Sequence, residues 1–468
     1  MGSPPPPPKK QKPILIVGAG ISGLLLAQHL RKVGSHVPVR LFERDADLDT
    51  RGLGWGLTLH WSLPALRALL PEELVRRLPE AYVDRVAVTE GRPSTFPFYD
   101  LSTGELRAKT PAAPESLRIR VTRDGLRRVL ATGLDIEWGK AVNNVQTSPD
   151  GTAVTLGFDD GTSCEGSVVV ACDGGSSRIR GLLFPEHHKR RIPVRLMGVK
   201  VDCTPDEIEP LRRLDPYFLQ GAASENDSFS YFSVLDAPGN NPAGDGNGGK
   251  YTCQMVVSWP VRRGFLGQAA PTAFPESDAE GVALLQRIAE TWAEPFRSLA
   301  RGVPAETEVK CLELYDWPPP RGLPVEGRVV LVGDALHPMA MYRGEGANHA
   351  ILDVLDLAEL VLPHFLHQLS PDTATATEAT PSSTAPAPTC NSTASSDDVL
   401  VTAIACYQKK VISRARPAVL ASRQAALDAH RWSRISEASP LLTRRAMELV
   451  FEEGDLVEEG FEEVSVVG

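Results

Sequence analysis

Paired cysteines are missing from this chain. Its seven Cys stand singly at 164, 172, 203, 253, 311, 390 and 406, with no C-x-x-C. That argues against a disulfide framework, a zinc ribbon and a dithiol redox motif, and for reduced intracellular thiols. On that reading the N-x-S/T matches at Asn226 and Asn391 are chance. No apolar run approaches the length of a membrane span. Met1 to Pro13 is rich in Pro and Lys with no apolar core, so a secretory signal is not expected. An excess of basic charge is absent too: 49 Lys and Arg face 59 Asp and Glu, a formal charge of −10. This argues against nucleic-acid or anionic-membrane partners. The expected location is cytoplasmic, and no bound metal is expected. At 468 residues the chain can bury a large core, and two domains are the prior expectation.

What is present begins at Ile14-Leu-Ile-Val-Gly-Ala-Gly-Ile-Ser-Gly23 and ends at Leu41-Phe-Glu-Arg44: an apolar strand, a glycine turn, a helix, a second strand and an acid. Gly18, Gly20 and Gly23 form G-x-G-x-x-G, and Glu43 follows at the spacing of a ribose-binding carboxylate. Gly18 permits the turn, Gly20 admits a pyrophosphate, and Gly23 lets the helix sit close on the sheet. The helix then aims its amides and positive dipole end at phosphates. An adenine dinucleotide is the expected ligand. With no second fingerprint, any further dinucleotide has no domain of its own.

Two further apolar strands end in an acid. Val168-Val-Val-Ala-Cys-Asp173-Gly174 continues to Ser177-Arg-Ile-Arg180, and Arg328-Val-Val-Leu-Val-Gly333-Asp334 continues to Arg343-Gly-Glu-Gly-Ala-Asn348. A carboxylate at the end of a buried strand suits nucleotide hydroxyls; taken alone, the first reads equally as a strand and a D-G turn.

Residues 1–12 and 370–398 have too little apolar surface to offset ordering entropy and read as disordered. Residues 13–190 and 317–435 form the expected dinucleotide domain, carrying the insert 370–398. Residues 191–316, with alternating strand patterns, form a β-rich substrate domain, and 436–468 an acidic tail. Helices are expected near 64–78, 279–300, 347–362 and 399–430. Aromatics on the strand-like runs, Phe218, Phe229, Tyr231, Phe232, Tyr251 and Trp259, suit a wall of an apolar pocket, or simply sheet core.

The three acid-bearing sites, in this order, resemble the group A flavoprotein monooxygenases, the p-hydroxybenzoate hydroxylase-like family, over about residues 13–360. The resemblance implies an α/β fold: a Rossmann-like FAD-binding domain interrupted by a mostly β substrate domain, with C-terminal helices. It implies FAD held by Gly18, Gly20, Gly23, Glu43, Arg51, Arg123 (of an R-x-x-L with Leu126), Asp173, Gly174, Asp334, Gly346, Ala347 and Asn348. Tyr342, Arg343, Tyr231 and Tyr251 are the expected substrate-side residues. It further implies NAD(P)H and O2 as co-substrates, and a flavin C4a-(hydro)peroxide that inserts one oxygen atom into a small aromatic or polyketide-like molecule.

Two departures stand out. Met341 occupies a place where the family usually has Pro, and Gly344-Glu345-Gly346 replaces the usual Gly-Gln-Gly. Glu345 bears on the ease of flavin reduction, with Arg343 at hand to neutralise it. Alternatives are a flavin-dependent reductase or halogenase, and a non-catalytic binding protein of the GDP-dissociation-inhibitor type. An intact Gly333-Asp334 speaks against the last. The sequence leaves open substrate identity and regiochemistry, hydroxylation versus epoxidation versus Baeyer–Villiger insertion, NADH versus NADPH, catalytic base and oligomeric state.

Overall fold

The computed structural model describes residues 12–458 apart from Ser35, Leu53, 241–247 and 367–395. Most of the segment expected to be disordered at the start, and nearly all of the 370–398 insert, therefore lie outside the described residues.

A parallel sheet of four strands organises the first half of the site. Its order is Val329–Leu331, Val168–Ala171, Ile14–Val17, Val39–Phe42. Ile14 pairs with both Val168 and Val39, and Val169 with Val329. The inner strands are buried along their whole length. That explains why they read as unbroken Val/Ile runs and not as alternating ones. The helix Ile21–Lys32 packs against Gly346–Leu360, which in turn meets the long helix Ser396–Asp428. These three strands, at 14–17, 168–171 and 329–331, all point their C-terminal ends the same way. Gly18, Asp173 and Asp334 follow those ends, as a crevice at the carboxyl edge of a parallel sheet requires.

The second layer is a seven-stranded sheet in the order 309–316, 190–203, 251–260, 229–236, 218–222, 98–100, 106–108. Its neighbours are antiparallel except for 218–222 against 98–100. The strand patterns expected between 191 and 316 correspond to five of these strands. The two from 98–108 join them from within the stretch expected to belong wholly to the dinucleotide domain. A separate antiparallel pair, Gly56–Leu59 with Ile119–Thr122, packs against strand 229–236 of the larger sheet.

Punctuation explains the remaining differences. Pro71 divides the helix expected over 64–78 into Leu63–Leu69 and Glu72–Arg77. The one expected over 279–300 stops at Ile288 and resumes at Phe296–Arg301, after Pro295. The described part of the 436–468 segment is folded onto the body: Leu441 is fully buried and Ser439 bonds to Asp428 of the last long helix. No helix among the described residues is long and apolar enough to cross a membrane.

Candidate active site

A single elongated cavity of about 610 Å³ runs from the glycine turn to the seven-stranded sheet. Gly18, Gly20, Glu43, Arg51, Arg123, Asp173, Gly174, Asp334, Gly346 and Ala347 all line it, as do Tyr342 and Tyr231. The three strand ends therefore converge on one space.

The glycines are fixed by contact. Gly18 has φ +104°, and a Cβ there would lie 2.3 Å from the Cys172 carbonyl oxygen. Gly23 does not line the cavity. It lets the helix touch the strand turn, since its Cβ would fall 2.0 Å from the Gly18 oxygen. Glu43 is held against this turn: its Oε2 accepts the Ala19 amide at 2.7 Å and its Oε1 the Asp45 amide at 3.1 Å. Arg51 pairs with Asp45 at 2.6 Å. Arg127, which the motif reading did not pick out, donates to the Ala19 carbonyl at 3.0 Å and lines the cavity.

Asp173 accepts the Ile179 amide at 3.3 Å through Oδ2, while Oδ1 is buried without a partner among the described residues. Burial pushes its pKa up, opposed by hydrogen bonds from Ser177 and Ile179. Arg180 joins this site to the next. It donates to the carbonyls of Asp334 at 3.1 Å, Ala335 at 2.8 Å and Gly175 at 2.7 Å.

Gly333 turns with φ +63°, and its amide donates to Asp353 Oδ2 at 2.8 Å. The same oxygen meets His337 Nε2 at 2.6 Å, and Arg414 pairs with the other carboxylate oxygen. This buried network sets the turn that presents Asp334. The Asp334 side chain is exposed to the open cavity, among the walls that line it. Burial raises its pKa, while His337 and Arg123 oppose the rise.

Glu345 caps the helix Gly346–Leu360 at a dipole end that favours negative charge. Its Oε2 meets Arg343 Nε at 2.7 Å; its Oε1 is buried and unpartnered among the described residues. Tyr342 donates to Ser258 Oγ at 2.9 Å, and Ser258 also meets His430 Nε2 at 2.9 Å. Burial lowers the His430 pKa to about 4, so its imidazole is neutral at pH 7.

Three expected site residues point elsewhere. Asn348 clamps the strand 56–59 to the helix start: its Oδ1 accepts from the His60 amide at 3.0 Å and Ser62 at 2.8 Å, and its Nδ2 donates to Thr58 O at 3.0 Å. Arg343 is wholly buried behind the cavity, bonding to the Pro440 carbonyl and to Thr443 besides Glu345. Tyr251 sits away from the cavity under Arg212, whose guanidinium stacks 4.5 Å from its ring and pairs with Asp84. In each case a local partner competes successfully for a side chain that the resemblance would aim inward.

The sheet end of the cavity holds Trp55, Phe96, Phe229, Val256, Gln220, Gln254 and Arg120. Sequence reasoning missed Arg120. Its one signal was a charge inside the otherwise apolar strand Ile119-Arg-Val-Thr122.

A buried parallel-sheet crevice, a glycine turn at a helix start and acids at two further strand ends define an FAD-dependent oxidoreductase. The unpartnered Asp173 and Glu345 oxygens, and the bare backbone of Gly18 and Gly20 along the cavity wall, fit an extended polar cofactor. The FAD-binding-domain family matches residues 11–220. A probable FAD-dependent monooxygenase of Arthroderma benhamiae is 40% identical over 454 residues, covering 95% of this chain and 97% of that protein. The FAD-dependent monooxygenase dbaB of Emericella nidulans is 37% identical over 354 residues, 75% of this chain and 86% of that one. The solved 2,6-dihydroxypyridine-3-hydroxylase of Arthrobacter nicotinovorans shares the fold with a TM-score of 0.64 at 18% identity, covering 98% of this chain and 99% of that one. The chain belongs to the FAD-dependent monooxygenases of group A. That membership decides for an enzyme over a non-catalytic binding protein.

Proposed function

We propose that this enzyme uses NAD(P)H and O2 to hydroxylate a small aromatic, polyketide-like molecule at the sheet end of the cavity. The observation that carries this reading is the continuity of one cavity from Gly18 to Tyr231, with a far end where aromatic and aliphatic side chains surround Arg120, Gln220 and Gln254. Several fungal relatives are themselves named FAD-dependent monooxygenases, in keeping with a role in secondary metabolism.

In this reading Gly18, Gly20 and the first amides of helix 21–32 hold the pyrophosphate. Glu43 takes the adenosine ribose, Asp334 the ribityl chain, and the amides at 346–347 the pyrimidine edge of the ring. Arg51, Arg123, Asp173 and Gly174 complete the cofactor contacts. FAD, when bound, supplies electron storage and oxygen activation. The chain's own work is to bind, orient and keep water out. Tyr231, Phe229 and Val256 provide the dry wall, and the Tyr342 hydroxyl, tied to Ser258, fixes the ring of Tyr342 at its edge.

The test is NAD(P)H consumption by flavin-loaded protein against a panel of phenols and aromatic polyketides. Stimulated consumption with a product heavier by one oxygen is expected. Consumption that no phenol stimulates, or coenzyme oxidation with the phenol recovered unchanged, refutes the reading.

A further inference from the structure

Arg120 is a buried cation without an acid. Its residue is 7% exposed, and among the described residues no carboxylate lies within ion-pair distance of it. Among the other cavity-lining cations, Arg51 has Asp45, Arg178 has Asp159 and Lys140 has Asp160. Arg44, Arg123 and Arg127 likewise have no ion pair among the described residues, but they stand with the glycine turn and Glu43 at the cofactor end, Arg127 on the Ala19 carbonyl. Arg120 is the cation of this kind at the sheet end. Asp215, the carboxylate whose charge reaches Arg120, is committed to the amides of Thr95, Tyr217 and Phe218.

What surrounds Arg120 orients it without neutralising it. Nε and Nη2 donate to Ser233 Oγ at 3.2 and 2.8 Å, and Nη1 to Thr58 Oγ1 at 3.0 Å. Three of five N–H groups are thereby used, and two remain. The guanidinium lies 5.3 Å from the Phe218 ring centre and 5.6 Å from that of Tyr231. Gly56 makes the room: a Cβ there would fall 2.1 Å from Arg120 Nη2. The planar group is thus seated between hydroxyls, rings and a bare backbone, facing the cavity at its substrate end.

Burying an unpaired charge is costly unless an opposite charge joins it. The cavity-lining acids, Glu43, Asp173, Asp334 and Glu345, all sit at the strand ends and helix start assigned to the cofactor. The partner must then arrive with the substrate.

We propose that Arg120 anchors an oxyanion borne by the aromatic substrate, so that the enzyme selects acidic aromatics over neutral ones. The proposal rests on the reading of the sheet end as the substrate chamber, and it names the class of molecule that enters. A carboxylate or an ionised phenol would present the same chemistry, and a fork of N–H donors suits either.

The test is equilibrium binding to flavin-loaded protein, followed by the ligands' own fluorescence. One arm compares 2-naphthoate with 2-naphthamide; the other compares 6-cyano-2-naphthol with its methyl ether as pH rises through the phenol's ionisation. A charge-assisted bond should favour the anion by roughly tenfold to a hundredfold in at least one arm. The arm that discriminates names the acid. Arg120→Met should bring that ratio close to one while keeping bound FAD, and Arg120→Lys should restore part of it. Equal affinities within both pairs, no binding of either anion, or a preference that survives Arg120→Met would overturn the proposal. So would loss of FAD from Arg120→Met, which would reassign the residue to the cofactor. Because the readout is binding, a failure to consume NAD(P)H strikes the proposed function and leaves this result standing.

Discussion

Arg343 Nε lies 2.7 Å from Glu345 Oε2, two residues along the same tight turn, with both side chains out of contact with bulk water. The pair puts a neutralised carboxylate where relatives of the resembled family place a neutral Gln. Arg343→Met should cost about 3–5 kcal/mol, because the buried Glu345 carboxylate loses the guanidinium it pairs with. Glu345→Gln should cost less, since Arg343 keeps the Pro440 and Arg444 carbonyls and Thr443 as acceptors. Urea denaturation of both variants decides the order. Removing the acid should also make the midpoint potential of bound flavin more positive, and a potential at or below the parent value counts against a carboxylate acting on the ring.

Asp334 has no side-chain hydrogen bond to any described residue, so its removal should spare the fold. Asp334→Ala is expected to melt as the parent apoprotein does and to lose most of its FAD. The ratio of flavin to protein absorbance measures this. Stoichiometric flavin in the variant would disprove the assignment to the ribityl chain.

At Gly23, by contrast, stability and cofactor should fail together. A methyl group there meets the Gly18 carbonyl at 2.0 Å, and inserting one into such a contact costs about 1–3 kcal/mol. Gly23→Ala should therefore lower the urea midpoint and weaken FAD retention. An unchanged midpoint would mean that the helix moves freely off the strand turn.

The His337–Asp353 pair predicts a pH dependence. Desolvation opposes charge on both, but mutual attraction wins: the His337 pKa is raised, and that of Asp353 falls to about 2 with the help of Arg414. A raised histidine stabilises most below its unfolded value of about 6.5, and that contribution fades as pH climbs through the folded value. The depressed Asp contributes above about 3.9 and fades on acidification toward its folded value. Stability should thus fall as pH climbs above about 6.5 and through the raised folded value of His337. His337→Gln should flatten that slope. An equally steep slope in the variant would place the titrating group elsewhere.

The dinucleotide half was legible because its signals are local. Gly18, Gly20, Gly23 and Glu43 lie in one supersecondary unit, and Asp173 and Asp334 each end an unmistakable buried strand. Register between distant strands leaves no such trace. Arg120 meets Thr58 only because 56–59 pairs with 119–122, and the resemblance gives Asn348 to the cofactor while nothing near it in sequence announces Thr58, His60 and Ser62. The 98–108 strands joined the substrate sheet for the same reason: a three-residue strand is too short to declare its neighbour.

Trp55 rests its ring edge on Gly198, where a Cβ would collide at 2.4 Å, and with Gly56 and Arg120 it reaches the chamber from the nucleotide side. The lock is cut on two separate plates. Grafting residues 190–316 from a cousin with other tastes would transplant one plate only, so swapping preferences by recombination requires moving 55–58 and 119–122 in the same cassette.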